Sequence, residues 1–184
     1  MTLISVTPLS DGRHIRMELE KNGKRFRVVK FRTSIDDFPF KAGDNLDLAV
    51  KVSKNFYNEK NYLSIQAVDY RLSGTDDNRY FKEKNDFDVF RKTGRGSKDM
   101  YPSRDICAVI YRYLKSNNGY SYGIDNLYFR LQKSVNYSQL IFALEAFEQA
   151  GIINNGKAIT LNNVGKVDLE GTRILVDLRN RLGR

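Results

Sequence analysis

Two runs of alternating residues constrain this 184-residue chain more than any other feature. In the first, Leu46, Leu48, Val50 and Val52 alternate with Asp47, Ala49, Lys51 and Ser53. In the second, Leu63, Ile65 and Ala67 alternate with Ser64 and Gln66, and Asp69 ends the run. A period of two over both runs predicts two half-buried β-strands. Gly43-Asp44 forms the turn that precedes them. The connection from Lys54 to Lys60 places Phe56, Tyr57 and two lysines at an expected loop tip. Apolar rings on an exposed loop are costly unless something lies on them, and nucleic-acid bases are one such surface.

The residues before this stretch extend the same pattern. Leu3-Ile4-Ser5-Val6 is a first short strand, turned by Pro8 to Gly12. Ile15, Met17 and Leu19 then alternate with Arg16, Glu18 and Glu20. Asn22-Gly23 supplies the strongest short hairpin signal, because a type I′ turn needs positive φ twice. In the next strand Phe26 and Val28 point inward and then Val29 and Phe31, a slip of phase that predicts a β-bulge at Val28-Val29. Arg25, Arg27, Lys30 and Arg32 are left on its outer side. Five short strands within 72 residues are too few for an immunoglobulin-type sandwich and fit a small five-stranded barrel of the oligonucleotide-binding (OB) kind.

Residues 73–101 change character. Ser73 to Asp77 breaks the strand pattern, Asn78 to Lys92 mixes charge with aromatics as a short bridging helix, and Thr93 to Lys98 is a flexible basic linker. A second domain is expected over 102–184. Ile106, Val109, Ile110, Tyr113 and Leu114 mark an amphipathic helix, and Ile124, Leu127, Tyr128 and Leu131 a second. Asn136 caps a third, which Gly151 ends. A tight hairpin around Asn155-Gly156 follows, then a last helix over about Asp168 to Leu182. Three helices followed by a hairpin is the winged-helix order. The fold class is thus α+β: an OB-type barrel (1–72), a linker (73–101) and a small winged-helix-like α/β domain (102–184).

Charge indicates the partner. Lys and Arg number 31 against 22 acids, a net charge of +9, which favours an anionic partner. From Ser134 to Gly156 there is neither Lys nor Arg, so the third helix of the second domain does not suit a DNA groove, where phosphate contacts dominate affinity. It is expected to be core scaffold, or a protein-facing surface through Tyr137 and Phe142. No apolar run approaches membrane-spanning length and no secretory leader opens the chain, so a cytoplasmic protein is expected. Cys107, the single cysteine, sits at an apolar helix position as buried filler. The single histidine, His14, stands alone on the polar side of a strand. No paired acid and base, phosphate-cradling Gly loop or Cys/His cluster occurs, so no catalysis, cofactor or small-molecule substrate is expected of this chain.

The segments Phe40-Lys41-Ala42-Gly43-Asp44, Asn55-Phe56-Tyr57-Asn58, Leu63-Ser64-Ile65-Gln66 and Val68-Asp69-Tyr70-Arg71 resemble the C-terminal oligonucleotide-binding domain of the RecJ single-stranded-DNA exonucleases. Tyr101-Pro102-Ser103-Arg104-Asp105 is similar to the family's opening of a tyrosine-rich helix, and Ala143 to Ile153 and Gly165 to Glu170 to its closing segments. Glu59 departs from the glycine usual in the family's loop. The resemblance implies the DNA-gripping barrel and C-terminal domain of a 5′-to-3′ nuclease of repair and recombination. The family's Mn or Mg motifs belong to a nuclease core that this sequence does not contain. Single-stranded DNA is then the expected partner, with phosphates at Arg16, Arg25, Arg27, Lys30, Arg32, Lys54 and Lys60, and bases stacked on Phe56, Tyr57 and Tyr62. Two other readings stay open: a module that docks replication or repair proteins through residues 102–184, and an RNA-binding barrel.

Overall fold

The computed structural model describes residues 1–57 and 60–183, with the side chains of Tyr57, Lys60 and Asn61 outside the described set. The chain divides into two compact units, Met1–Thr75 and Asp76–Arg184.

The N-terminal unit is a five-stranded sheet of β1 (Thr2–Leu9), β2 (His14–Lys21), β3 (Lys24–Lys30), β4 (Leu46–Tyr57) and β5 (Lys60–Leu72). The strand order is β1-β2-β3-β5-β4, with β3 parallel to β5 and the other pairs antiparallel. Asn22 and Gly23, at φ 53° and 72°, make the tight turn between β2 and β3. The barrel expected from the sequence is not closed. β1 meets the entry to β4 only at a bridge between Thr2 and Asn45, flanked by backbone bonds such as Leu3 N to Asp44 O at 2.8 Å.

The expected bulge at Val28-Val29 does not form. β2 and β3 pair one to one from Ile15↔Lys30 to Lys21↔Lys24, because a two-residue turn leaves the register no slack. The bulges lie instead between Leu3 and Ser5 in β1 and at Val68 of β5, where Ala49 pairs with Asp69 but Val50 with Ala67. The extra residue Val68 switches the inward positions of β5 from Tyr70 and Leu72 to Ala67 and Ile65. The core of this unit is Leu3, Ile15, Met17, Leu19, Val28, Phe38, Phe40, Leu46 and Ala67. Phe38, Phe40 and Tyr70 meet edge to face with centroids 5.2–5.6 Å apart.

The C-terminal unit begins earlier than the expected boundary. Residues 76–101 are part of it. Its first helix, α1 (Asp77–Thr93), is capped by the Asp76 carboxylate, which accepts from Arg79 N at 2.9 Å, and ended by Gly94 in the left-handed region. The stretch expected to be flexible is packed: a Cβ on Gly96 would lie 2.6 Å from both Met100 Sδ and Phe90 Cδ2. A 3₁₀ turn over Lys98–Met100 leads to α2 (Arg104–Ser116), α3 (Ile124–Leu131) and α4 (Tyr137–Gln149). α4 opens on a full capping box in which Asn136 and Gln139 bond each other's backbone N–H groups. The hairpin β6 (Ile153–Asn155) and β7 (Ile159–Leu161) follows, and α5 (Arg173–Arg181) closes the unit. Among the described residues no helix is long and apolar enough to cross a membrane.

α4 is the axis of this unit. On one side Leu140, Leu144 and Phe147 join α2, α3 and the hairpin in one cluster. On the other, Phe142 and Ala146 pack with Phe90, Met100, Tyr101, Leu175 and Leu178 in a second. A helix apolar on both sides is a buried helix.

Candidate nucleic-acid interface

One row of side chains crosses all five strands on the outer face of the N-terminal unit. Directly paired residues point to the same side of a sheet. Thr7 pairs with Arg16, Arg16 with Val29, Val29 with Gln66, and Gln66 with Lys51. The row spans four inter-strand spacings, about 19 Å. Arg27 stands two residues from Val29 on β3, facing the same way, and Ser64, Ser53, Asn55 and Tyr62 carry this face outward along the β4–β5 ribbon. Arg16 and Arg27 are exposed and form no salt bridge among the described residues. Tyr62 is 50 % exposed.

The ten positions that the sequence proposes for DNA contact do not share this face. Arg16, Arg27 and Tyr62 do. Arg25 does too, but its guanidinium lies 3.6 Å from Glu18 and 3.9 Å from Glu20, so the facing strand already balances its charge. Lys30 is a correction. With β2 and β3 in unbroken register it pairs with Ile15 and lies on the core side. There its Nζ donates to Val68 O at 2.5 Å and sits 5.4 Å from the centre of the Tyr70 ring. Arg32 falls beyond the end of β3, in a turn at φ 57°, where its backbone N–H donates to His14 Nδ1 at 3.0 Å. Phe31, expected inward, is exposed with its ring edge-on to His14.

The aromatic tip also differs from the expected loop. Lys54 to Tyr57 belong to β4, so Phe56 and Tyr62 take opposite faces of the ribbon. Phe56 and Lys54 lie on the side that continues the core, away from Arg16. The Tyr57 and Lys60 side chains lie outside the described residues. Sequence reasoning missed Lys51 and Gln66, which only the β3–β5 pairing brings beside Arg16. The signal was present in the alternation, since both fall on the polar phase of the two runs.

The docking surface expected at Tyr137 and Phe142 is corrected as well. Phe142 is 1 % exposed and Tyr137 is 7 %. Tyr137 donates its hydroxyl to Asp125 at 3.1 Å and its backbone N–H to Glu83 at 2.8 Å. Lys84 donates to both Tyr80 and Asp125, at 2.7 and 2.9 Å. Burial pushes the Asp125 carboxyl up, but hydrogen bonds from Lys84, Tyr80 and Tyr137 outweigh it and hold the group below its ordinary range. Arg91 pairs with Glu145 and covers the Phe142 ring with its guanidinium 5.0 Å from the centre.

Groups that could do other chemistry are held in neutral or structural roles. Burial pushes the Cys107 thiol up to about 11, so it stays protonated near neutrality. His14 is spent on the Arg32 turn. Among the described residues no three of His, Cys, Asp and Glu are grouped to hold a metal ion.

This geometry meets an independent comparison. Residues 1–69 match the family model of the RecJ OB domain, so the N-terminal sheet is a RecJ-type OB domain. That match points to a nucleic-acid-binding role for the unit carrying the Arg16 row. No curated protein matches the chain.

Proposed function

We propose that this chain is the single-stranded-DNA-binding, accessory part of a RecJ-type 5′-to-3′ exonuclease acting in cytoplasmic DNA repair and recombination. In this reading, hydrolysis and its Mn or Mg ions belong to a nuclease core outside these 184 residues. The observation that carries the reading is the continuous outer row of the RecJ-type OB domain, from Arg16 through Val29 and Gln66 to Lys51. Phosphates bind at Arg16, Arg27 and Lys51, and a base stacks on Tyr62, where such stacking is worth ~1–3 kcal/mol. Val29 and Gln66 keep the middle of the row low and uncharged, which leaves space for a strand between its cations. The C-terminal unit, with α2, α3, α4 and the β6–β7 hairpin in winged-helix order, serves as a scaffold rather than as a groove reader, since α4 is buried on both sides.

The test is binding of labelled oligo-dT across a salt series, with duplex and oligo-rU as competitors. Three phosphate contacts predict a log–log salt slope of about −2 and oligo-dT bound in preference to both competitors. No binding at low salt would remove the role. Tighter binding of oligo-rU would move it to RNA.

A further inference from the structure

The two faces of the β4–β5 ribbon diverge beyond Val50. One continues the Arg16 row with Lys51, Ser53, Asn55, Tyr62, Ser64 and Gln66. The other continues the core: Val50 pairs with Ala67, Val52 with Ile65, and Lys54 with Leu63. At the root this second face covers Leu46 and its neighbours. Farther out no described residue covers it, and exposure rises to 56 % at Val52, 72 % at Phe56 and 75 % at Leu63. The bare apolar stretch from Val52 to Phe56 extends about 14 Å. Leu63 lies diagonal to both Val52 and Phe56, close enough for the three to form one patch.

Charge selects what this patch meets. By sequence residues 50–65 carry three lysines against one glutamate, and Lys54 stands on this face between Val52 and Phe56. Two copies of such an arm repel each other, while an anionic partner is drawn in. An anionic surface that also offers a flat apolar face is the end of a nucleic-acid duplex, a base pair rimmed by phosphates. Proteins open or kink duplexes by pushing Phe or Leu against base steps.

We propose that the bare apolar face of the ribbon, Val52, Phe56 and Leu63, is a wedge for the junction between single- and double-stranded DNA. The single strand follows the Arg16–Tyr62 face, while Phe56 and Leu63 push against the first base pair of the duplex and unstack it, with Lys54 at its phosphates. The inference rests on the outer face being the single-strand grip, and assigns to the opposite face a substrate class of its own.

The experiment uses the full chain and a hairpin duplex with a dT tail of about 12 nucleotides, within the span of one OB fold. 2-Aminopurine replaces the base of the first pair, and tail-only oligo-dT is measured in parallel. The wedge predicts that the junction binds about 10-fold tighter than the tail alone and that 2-aminopurine fluorescence rises as its pair unstacks. Phe56→Ala/Leu63→Ala loses both effects and keeps oligo-dT affinity within about 2-fold, since neither side chain is on the single-strand face. Phe56→Trp retains the signal. Wild type that binds oligo-dT but shows no junction preference and no fluorescence change overturns the wedge and leaves the apolar face to a protein partner. A junction signal without oligo-dT binding upholds the wedge and removes the single-strand grip. Neither signal removes both.

Discussion

The β4–β5 ribbon and α4 are the two elements a reader of this chain would pick as binding elements, and they handle apolar surface in opposite ways. α4 buries Leu140, Leu144 and Phe147 on one side and Phe142 and Ala146 on the other. The ribbon buries Leu46 and Ala67 at its root and leaves Val52, Phe56 and Leu63 bare at its end. Apolar residues that touch one another on all sides hold a fold together. Apolar residues left exposed beside lysines add nothing to that packing. The difference separates a helix that builds the C-terminal unit from a ribbon whose outer end stays bare among the described residues.

The contrast between the two elements is largest at Phe142. Removing a fully buried ring costs about 3–5 kcal/mol, so Phe142→Ala should lower the unfolding free energy of the C-terminal unit by that much in a urea titration. A loss under ~1 kcal/mol would mean that the second side of α4 is not packed. Next in size is Tyr62→Ala, expected to weaken oligo-dT binding by ~1–3 kcal/mol with no change in the denaturation curve. Unaltered affinity would take Tyr62 off the binding face. At the ribbon end, Phe56→Ala should change stability by less than about 0.5 kcal/mol, because the ring is 72 % exposed among the described residues. A larger loss in the denaturation midpoint would show that the apolar face is covered after all.

The smallest effect sharpens the anchoring of Tyr137. The Asp125 carboxyl titrates lower in the folded chain than its usual value of about 3.9. Its contribution to stability is therefore present above that value and lost as pH falls through the folded one. Asp125→Asn should flatten the pH dependence of unfolding below about pH 4. A variant that keeps the wild-type acid slope would show that Lys84, Tyr80 and Tyr137 do not stabilise the charged form.

Much of the fold was legible because local chemistry decides it. Asn22-Gly23 fixed the β2–β3 turn, and the alternations at Ile15 to Leu19 and at Leu46 to Ala67 marked their strands. Asn136 marked the start of α4. Three things were not legible, and each depends on what a segment meets. Alternation tells which residues share a face but not where coverage ends, so Val52 and Leu63 read as half-buried. Arg25 to Arg32 looked like one cationic strand, and only the register with β2 sends Lys30 to the core side and spends Arg25 on glutamates. The helix expected over Asn78 to Lys92 forms as α1, but its place in the C-terminal unit was not legible, because α1 is polar around most of its surface and packs through Tyr80, Phe87 and Phe90 together with polar contacts from Glu83, Lys84 and Arg91. In the candidate site, Arg16, Arg27 and Tyr62 could be read from strand phase. For Lys51 and Gln66 the phase was legible but the place beside Arg16 was not, because the parallel pairing of β3 with β5 joins residues far apart in sequence.

The proposed function requires single-stranded DNA to lie across the Arg16 row. Its most direct test is the salt dependence of oligo-dT affinity for the wild-type chain against Arg16→Ala/Arg27→Ala. Loss of two phosphate contacts predicts a log–log slope shallower by about 1.4 together with weaker binding at low salt. A slope identical to wild type would place the strand away from Arg16 and Arg27.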